Sequence, residues 1–167
     1  MNDQTNPTLT IRPAQPSDLA AIVEFNRRLA LETEGKVLDP VILNLGVSRA
    51  LAEPERLRYW VAEVDQPPRV VGQAAITREW SDWRNCWNWW LQSVYVTEPF
   101  RGKGIFRALY QQISDEARAD NEVSGLRLYV EDSNQAAQHT YQAMGMKPAG
   151  YSVTRCTGAF VISHWSK

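Results

Sequence analysis

One short stretch of this sequence has residue types that could bind an anion, because it places two glycines among basic side chains. Gly102 and Gly104 follow a run of strand-forming residues, and Arg101, Lys103 and Arg107 add positive charge. Glycine has no Cβ atom to keep an anion away from the backbone, and the N–H groups at a helix start attract phosphate. The spacing fits neither G-x-x-x-x-G-K-S/T nor G-x-G-x-x-G, and an ordinary turn would explain a lone Gly-x-Gly equally well.

A second segment, residues 129–146, places an asparagine, an alanine and a tyrosine before a glycine–methionine pair. It reads N-x-x-A-x-x-x-Y-x-x-x-G-F/M from Asn134, and the glycine segment reads V-x-x-x-x-R/Q-x-x-G-x-G/A from Val96, except at its last position. With both halves in this order, the sequence resembles the GNAT superfamily, the GCN5-related N-acetyltransferases. The resemblance is sharp over residues 94–146, and the order of predicted elements extends it to nearly the whole chain.

The resemblance implies acetyl-CoA as co-substrate. The residues that it places around the pyrophosphate lie in the glycine segment: Arg101, Gly102, Lys103, Gly104, Ile105, Phe106 and Arg107. The main chain of Val94, Tyr95 and Val96 would pair with the pantetheine arm as an added strand does. By the same match, Asn134 contacts the cofactor and Tyr141 lies near the thioester sulfur.

Phe106 stands where the family pattern has glycine or alanine. Its ring could fill space that CoA usually approaches, which would alter CoA affinity or the choice of acyl chain. It could instead point into the core with Leu109 and Tyr110. Because Phe106 shares a helical face with Leu109 and Ile113, the sequence favours the core.

Acetyl transfer to an amine needs a proton acceptor, a proton donor and N–H groups at the reacting carbonyl. A lysine-like amine is neutral in only about one molecule in 2,500 at pH 7, so a base, usually a carboxylate, acts directly or through water. Backbone N–H groups near Val94 can stabilise the tetrahedral intermediate. Tyr141 is the predicted general acid for the leaving thiolate. The alternative is a core tyrosine beside Ala137 and Met144.

Glu79, near the end of the third predicted strand, is the predicted base. Glu32 and Glu34 in the first helix connection are further candidates, as is Glu131, which shares a strand face with Tyr129. Any of these carboxylates could equally be a solvated surface charge. Glu32 is also predicted to bind the acceptor, since the first helix connection forms part of the acceptor site in the family that the sequence resembles. Tyr129, on the strand after the glycine helix, is predicted to bind the acceptor as well.

Five of the seven tryptophans crowd into one short stretch: Trp80, Trp83, Trp87, Trp89 and Trp90. On a strand, Trp87 and Trp89 share one face and Trp90 takes the other. Buried tryptophans usually belong to a core or to a dimer interface. The alternative is an aromatic wall in which Trp87 and Trp89 bind a flat or cationic acceptor through stacking or cation–π contacts.

A single α/β (α+β) domain must position these residues, with a mixed, mostly antiparallel twisted sheet flanked by helices in the order β-α-α-β-β-β-α-β-α-β-β. Alternation and turn residues place the strands at about residues 8–12, 59–64, 69–80, 86–96, 126–130, 147–155 and 157–165. Apolar residues at helical spacing predict helices after Asp18, over 41–52, after Gly104, and between Asn134 and Gly145. The domain is expected to span residues 1–167, with residues 1–7 flexible.

The composition limits the classes of partner that this protein could bind. The 167 residues carry 18 Lys and Arg against 19 Asp and Glu, a formal net charge of −1, which argues against a nucleic-acid or anionic-membrane binder. Apolar runs are too short for a membrane span and the start does not read as a signal peptide, so a cytoplasmic location is expected. Two cysteines and two histidines predict neither a disulfide framework nor a metal site.

The sequence therefore predicts an acetyl-CoA-dependent N-acetyltransferase that acts on a primary amine of a small molecule or peptide, by direct attack in a ternary complex. A homodimer is a further expectation. The alternatives are a non-catalytic CoA-binding or regulatory protein on the same fold, and an interaction protein that docks a partner through its tryptophans.

Overall fold

The computed structural model describes residues 8–65, 67–132 and 134–154. The chain divides into two compact units, of which one ends at Tyr129 and the other begins at Val130. Within the described residues, the first unit contains five strands and three longer helices, and the second contains one helix. The extent of the domain, expected as 1–167, stays a prediction.

The five strands form one sheet in chain order, β1-β2-β3-β4-β5. Neighbouring strands are antiparallel except β4 and β5, which are parallel. The strands are β1 (Leu9–Pro13), β2 (Arg58–Asp65), β3 (Pro68–Ser81), β4 (Cys86–Val96) and β5 (Val123–Leu128), and the helices are α1 (Leu19–Glu34), α2 (Pro40–Ala52), α3 (Ile105–Ala119) and α4 (Gln135–Ala143). The predicted fold class is confirmed.

The helix ends follow from local residue chemistry. The helix α1 ends at Gly35, which adopts a left-handed φ of 61° that an L side chain disfavours. Asp39 caps α2 by accepting backbone hydrogen bonds from Val41 and Ile42 at 2.8 and 2.9 Å. In the second unit, the Asn134 side chain accepts the Ala137 N–H at 3.0 Å, so the predicted cap of α4 is confirmed.

Each face of the sheet carries its own core. On one face, strand residues such as Trp60 and Leu91 pack against Leu109 and Ile113 of α3. On the other face, Tyr59, Val61 and Ala75 pack against Ile22 of α1 and Val47 of α2. Helices therefore cover both faces, and the alternating strand positions point to different helices.

The strand predicted at 147–155 is not formed over residues 147–154. Pro148 has no N–H to donate to a neighbouring strand, and Gly150 adopts a φ of 76° that breaks extended backbone. Residue 155 and the strand predicted at 157–165 lie outside the described residues. No helix among the described residues is long and apolar enough to span a membrane.

Candidate active site

A β-bulge interrupts β4 where it pairs with β3. Gln73 pairs with Tyr95 and Ala75 pairs with Gln92, so two residues of β4, Ser93 and Val94, lie opposite one residue of β3. Ser93 adopts a φ of 52°, which is unusual for a residue with a side chain. The bulge turns backbone groups of β4 out of the regular ladder at this point.

Beyond the bulge, β4 has an open edge. The last residue of β5, Leu128, pairs with Leu91, whereas β4 continues to Val96. Among the described residues, no strand therefore pairs with residues 92–96 on the β5 side. An extended ligand could bind this edge as an added strand does, and the edge includes the predicted contacts Val94, Tyr95 and Val96.

The glycine turn joins the open edge to α3. Gly102 and Gly104 have φ values of 72° and 79°, and a Cβ atom built on either would meet nothing within 4 Å. The left-handed backbone, rather than crowding, therefore requires glycine here. Gly104 is the residue before α3, and no side chain of the described residues caps this helix end. The helix dipole makes this end of α3 attractive to an anion.

The three basic residues of the turn have different environments. The Arg101 guanidinium binds the Glu32 carboxylate at 2.5 Å and donates to the Val96 carbonyl at 2.9 Å. Lys103 and Arg107 are exposed, and Lys103 Nζ lies 5.2 Å from the centre of the Phe100 ring. Arg101 therefore orders the turn, and the other two can attract an anion from solvent.

Glu32, a predicted acceptor residue, lies in the last turn of α1 beside this loop. Its carboxylate also accepts a 2.8 Å hydrogen bond from the Tyr95 hydroxyl. Hydrogen bonds from Arg101 and then Tyr95 lower the pKa of Glu32, while burial and the Glu32 hydrogen bond raise the pKa of Tyr95. Glu32 is thus an ionised partner of Arg101 at neutral pH.

Phe106 packs against the core on the α3 face. Its side chain is partly buried beside that core, and its ring centre lies 6.3 Å from that of Tyr110. The prediction that Phe106 points into the core is confirmed.

Tyr129, Trp90, Glu79 and Arg127 form a cluster on the opposite face of the sheet, which we call the Trp90 platform. The Trp90 and Tyr129 rings stack with centres 4.4 Å apart, and Tyr129 is 65% exposed. The Glu79 carboxylate accepts hydrogen bonds from Trp90 Nε1 at 2.9 Å and from Arg127 at 3.1 Å. The platform joins an aromatic surface to a carboxylate and a guanidinium.

Glu79, the predicted base, lies on β3 away from the bulge in β4. It pairs in register with Asn88, five residues before Ser93. At about 3.3 Å per residue, this is roughly 17 Å along the strand from the bulge. Because Trp90 and Arg127 donate hydrogen bonds to its carboxylate, Glu79 is also suited to charge recognition, and its role as base stays a prediction.

The predicted aromatic wall needs a correction at Trp89. Trp89 is 7% exposed and its ring lies 6.3 Å from that of Trp60 in the core, so it cannot contact an acceptor. Trp87 lies on the same face, edge-on to Trp80 at 4.9 Å and 5.0 Å from the Arg78 guanidinium. The face alternation was predicted correctly, but α3 covers the side that holds Trp87 and Trp89.

The second unit holds the predicted acid. Tyr141 lies half-buried on α4, and burial raises its pKa. It therefore stays protonated throughout the neutral range and can donate a proton. Asn134, predicted to contact the cofactor, uses its side-chain oxygen to cap the same helix.

Sequence reasoning missed a buried polar group beneath the bulge, formed by Gln73, Asn26 and Tyr59. Gln73 is fully buried and Asn26 nearly so. The signal was present in the sequence, because Gln73 interrupts the apolar run of residues 70–76. Among the described residues, no group of three or more His, Cys, Asp or Glu side chains could hold a metal ion.

The site thus combines an open strand edge, a bulge and a left-handed glycine turn at a helix start. The family model described as the acetyltransferase (GNAT) family matches residues 21–146. The chain belongs to this family, and the protein is an acyltransferase.

Three similar proteins come from cattle and two bacteria. The chain is 33% identical over 143 residues to the thialysine N-epsilon-acetyltransferase of Bos taurus, covering 81% of this chain and 82% of the relative. It is 29% identical over 140 residues to the L-amino acid N-acyltransferase MnaT of Escherichia coli K12, covering 82% and 78%. A crystal structure from Clostridium difficile 630, described as a possible acetyltransferase, shares 41% identity over 90% of this chain and 97% of that one, with a TM-score of 0.84.

Proposed function

We propose that the protein transfers the acetyl group of acetyl-CoA to a primary amine of a small molecule, within a ternary complex. The observation that carries this proposal is the continuous surface from the open edge at residues 92–96 to the glycine turn. The pantetheine arm would pair with the edge, and the pyrophosphate would lie on the N–H groups at the start of α3. Lys103 and Arg107 would add charge there.

The acceptor is proposed to bind at the Trp90 platform. Its aromatic rings and the Glu79 carboxylate suit an ammonium group, and Arg127 suits a carboxylate. Trp90 lies three residues before Ser93, which is roughly 10 Å along the strand. An acceptor anchored at the platform must therefore be elongated, as an amino acid with a side-chain amine is. The names of the two curated relatives, which concern thialysine and L-amino acids, support this class.

The reaction proceeds by attack of the neutral amine on the thioester carbonyl carbon. The bulge at Ser93 and Val94 would supply N–H groups to the developing oxyanion. As the carbon–sulfur bond breaks, Tyr141 donates its phenolic proton to the thiolate, and the nitrogen releases its own proton to solvent. Glu79 binds the acceptor's ammonium group at the platform and thereby orients the reacting amine at the other end of the molecule.

A thiol-release assay with acetyl-CoA and a panel of amines tests this function. The panel contains lysine-like amino acids, α-amino acids, diamines and a peptide with a free N-terminus. Elongated amino acids should turn over fastest. Tight acetyl-CoA binding with no CoA release on any amine would favour a non-catalytic CoA-binding protein. If acetyl-CoA does not bind, the protein is neither an acetyl-CoA-dependent transferase nor a CoA-binding protein.

We also propose that the protein is a homodimer and is located in the cytoplasm. Trp83, which is 89% exposed, and the half-exposed Trp80 supply apolar surface for a second copy. Light scattering of the wild type and of Trp83→Ser would show whether this surface holds two copies together.

A further inference from the structure

A buried hydrogen-bond network holds the bulge in β4 from below. Gln73 Nε2 donates to the Ser93 carbonyl at 3.0 Å and to Asn26 Oδ1 at 2.7 Å. Asn26 Nδ2 in turn donates to the Tyr59 hydroxyl at 3.0 Å. Gln73 of β3 therefore holds the Ser93 carbonyl, and Asn26 of α1 and Tyr59 of β2 complete the network beneath it.

The network is costly for a sheet interior. The side-chain amide of Gln73 is completely buried. The Oε1 atom of this amide has no hydrogen-bond partner among the described residues. An apolar side chain would fill the same place without that desolvation. In addition, Ser93 keeps a left-handed backbone that only glycine adopts freely. Strain of this kind persists where the surrounding structure enforces it, and it occurs most often at functional sites.

We infer that Gln73, supported by Asn26 and Tyr59, is a positioning residue for acetyl transfer. By holding the Ser93 carbonyl, Gln73 fixes the direction of the backbone N–H groups at the bulge, which face the thioester oxygen in the proposed complex. The inference rests on the proposed function. None of the three side chains need touch either substrate, because Gln73 is buried and acts through the backbone of β4.

Gln73→Leu tests this role, because leucine has a similar size and no N–H donor. We expect kcat to fall by at least tenfold, with less than a threefold change in the KM for acetyl-CoA, since the oxyanion develops only in the transition state. Ile113→Val, a buried change on the other face of the sheet, is the matched control. It should lower Tm and leave kcat unchanged.

Ser93→Gly separates positioning from mere stability. Glycine adopts the required φ without strain, so the double variant Gln73→Leu/Ser93→Gly should recover much of the kcat that Gln73→Leu loses. A structural role alone would give additive losses of Tm and no recovery of kcat. If Gln73→Leu does not fold, Tyr59→Phe removes one hydroxyl from the same network and takes its place.

Hydrogen exchange at the Ser93 and Val94 amides supplies a measurement that needs no substrate. Exchange should quicken at least tenfold in Gln73→Leu and stay at the wild-type rate in Ile113→Val. If the wild type transfers acetyl to no amine, the proposed function is wrong. The exchange rates then remain the test of whether Gln73 fixes the backbone at the bulge. Unchanged exchange and unchanged kcat in Gln73→Leu, with only Tm lowered, would overturn the inference.

Discussion

The hydroxyl of Tyr95 donates a 2.8 Å hydrogen bond to the carboxylate of Glu32, and so connects the open edge of β4 to the last turn of α1. Arg101 binds the other oxygen of the same carboxylate. The helix α1, the strand edge and the glycine turn are therefore fixed to one another through a single side chain. The surface that we assign to acetyl-CoA depends on this connection.

Glu32→Gln should weaken that connection in a pH-dependent way. Since Arg101 and Tyr95 lower the pKa of Glu32 from 4.5, its contribution to stability is complete above that value and is lost as the pH falls through the lowered value. The variant should be less stable than wild type at pH 7, by under about 1 kcal/mol because the pair is exposed. The difference should shrink as the pH falls below 4.5 and close once the pH lies below the lowered pKa of Glu32.

Urea unfolding between pH 3 and 8 measures this difference. Glu34→Gln is the control, because Glu34 pairs with Lys36 away from the turn. A stability difference that stays constant down to pH 3 would contradict the assigned role of the Glu32 carboxylate.

Gly104→Ala should weaken acetyl-CoA binding about tenfold. Because the added Cβ meets no atom within 4 Å, its effect comes from the φ of 79°, which costs an L residue about 1–2 kcal/mol. Relief of that strain would turn the first N–H groups of α3 away from the phosphates. Isothermal titration with acetyl-CoA measures the loss.

Gly46→Ala is the matched control for that change. Gly46 lies inside α2, has ordinary helical backbone and equally open space around its Cβ position. Alanine should stabilise the protein there by about 0.5–1 kcal/mol and leave acetyl-CoA affinity unchanged. Equal effects at the two glycines would show that the turn has no special part in binding.

Tyr141→Phe should lower kcat by roughly a hundredfold, the usual size of a general-acid contribution. In the wild type, kcat/KM for the amine should rise about tenfold per pH unit from pH 6 to 9, as the fraction of neutral amine rises. Burial raises the pKa of Tyr141 above its ordinary 10.0, so loss of the acid should appear only beyond that pH. Tyr110→Phe, on α3, should leave the profile intact; a Tyr141→Phe enzyme with wild-type kcat would remove Tyr141 from the mechanism.

Trp90→Ala and Glu79→Gln should each lower kcat/KM for the amine about tenfold, which is the range of a cation–π or charge contact. The KM for acetyl-CoA should stay the same. Trp80→Ala changes another tryptophan of the same cluster, on the other face of the sheet, and should have no effect on the amine. If Trp80→Ala has the larger effect, the acceptor binds on the α3 face.

Residue patterns were sufficient to predict most helices and strands and the glycine turn. The bounds of β4 match the predicted 86–96, because alternation and the following turn residues are local signals. The alternation of side chains along a strand also correctly placed Trp89 and Trp90 on opposite faces of the sheet. It could not say which face α3 would cover, since that depends on packing between segments distant in sequence.

Two further features depend in the same way on the assembled sheet. The distance of Glu79, the predicted base, from Ser93 is set by the pairing register of β3 and β4. Gln73 interrupts an apolar run in the sequence, but its partners Asn26 and Tyr59 come from separate elements. Local sequence shows that a residue is unusual; only the assembled sheet shows what it contacts.

The open edge of β4 has a consequence for the protein in storage and in the test tube. Backbone that no described strand covers, beside the apolar side chains of Val94 and Val96, is a template on which another chain can add a strand. A ligand that covers this edge should therefore protect the protein from self-association as well as serve its chemistry. Preparations kept without acetyl-CoA should aggregate sooner than those kept with it.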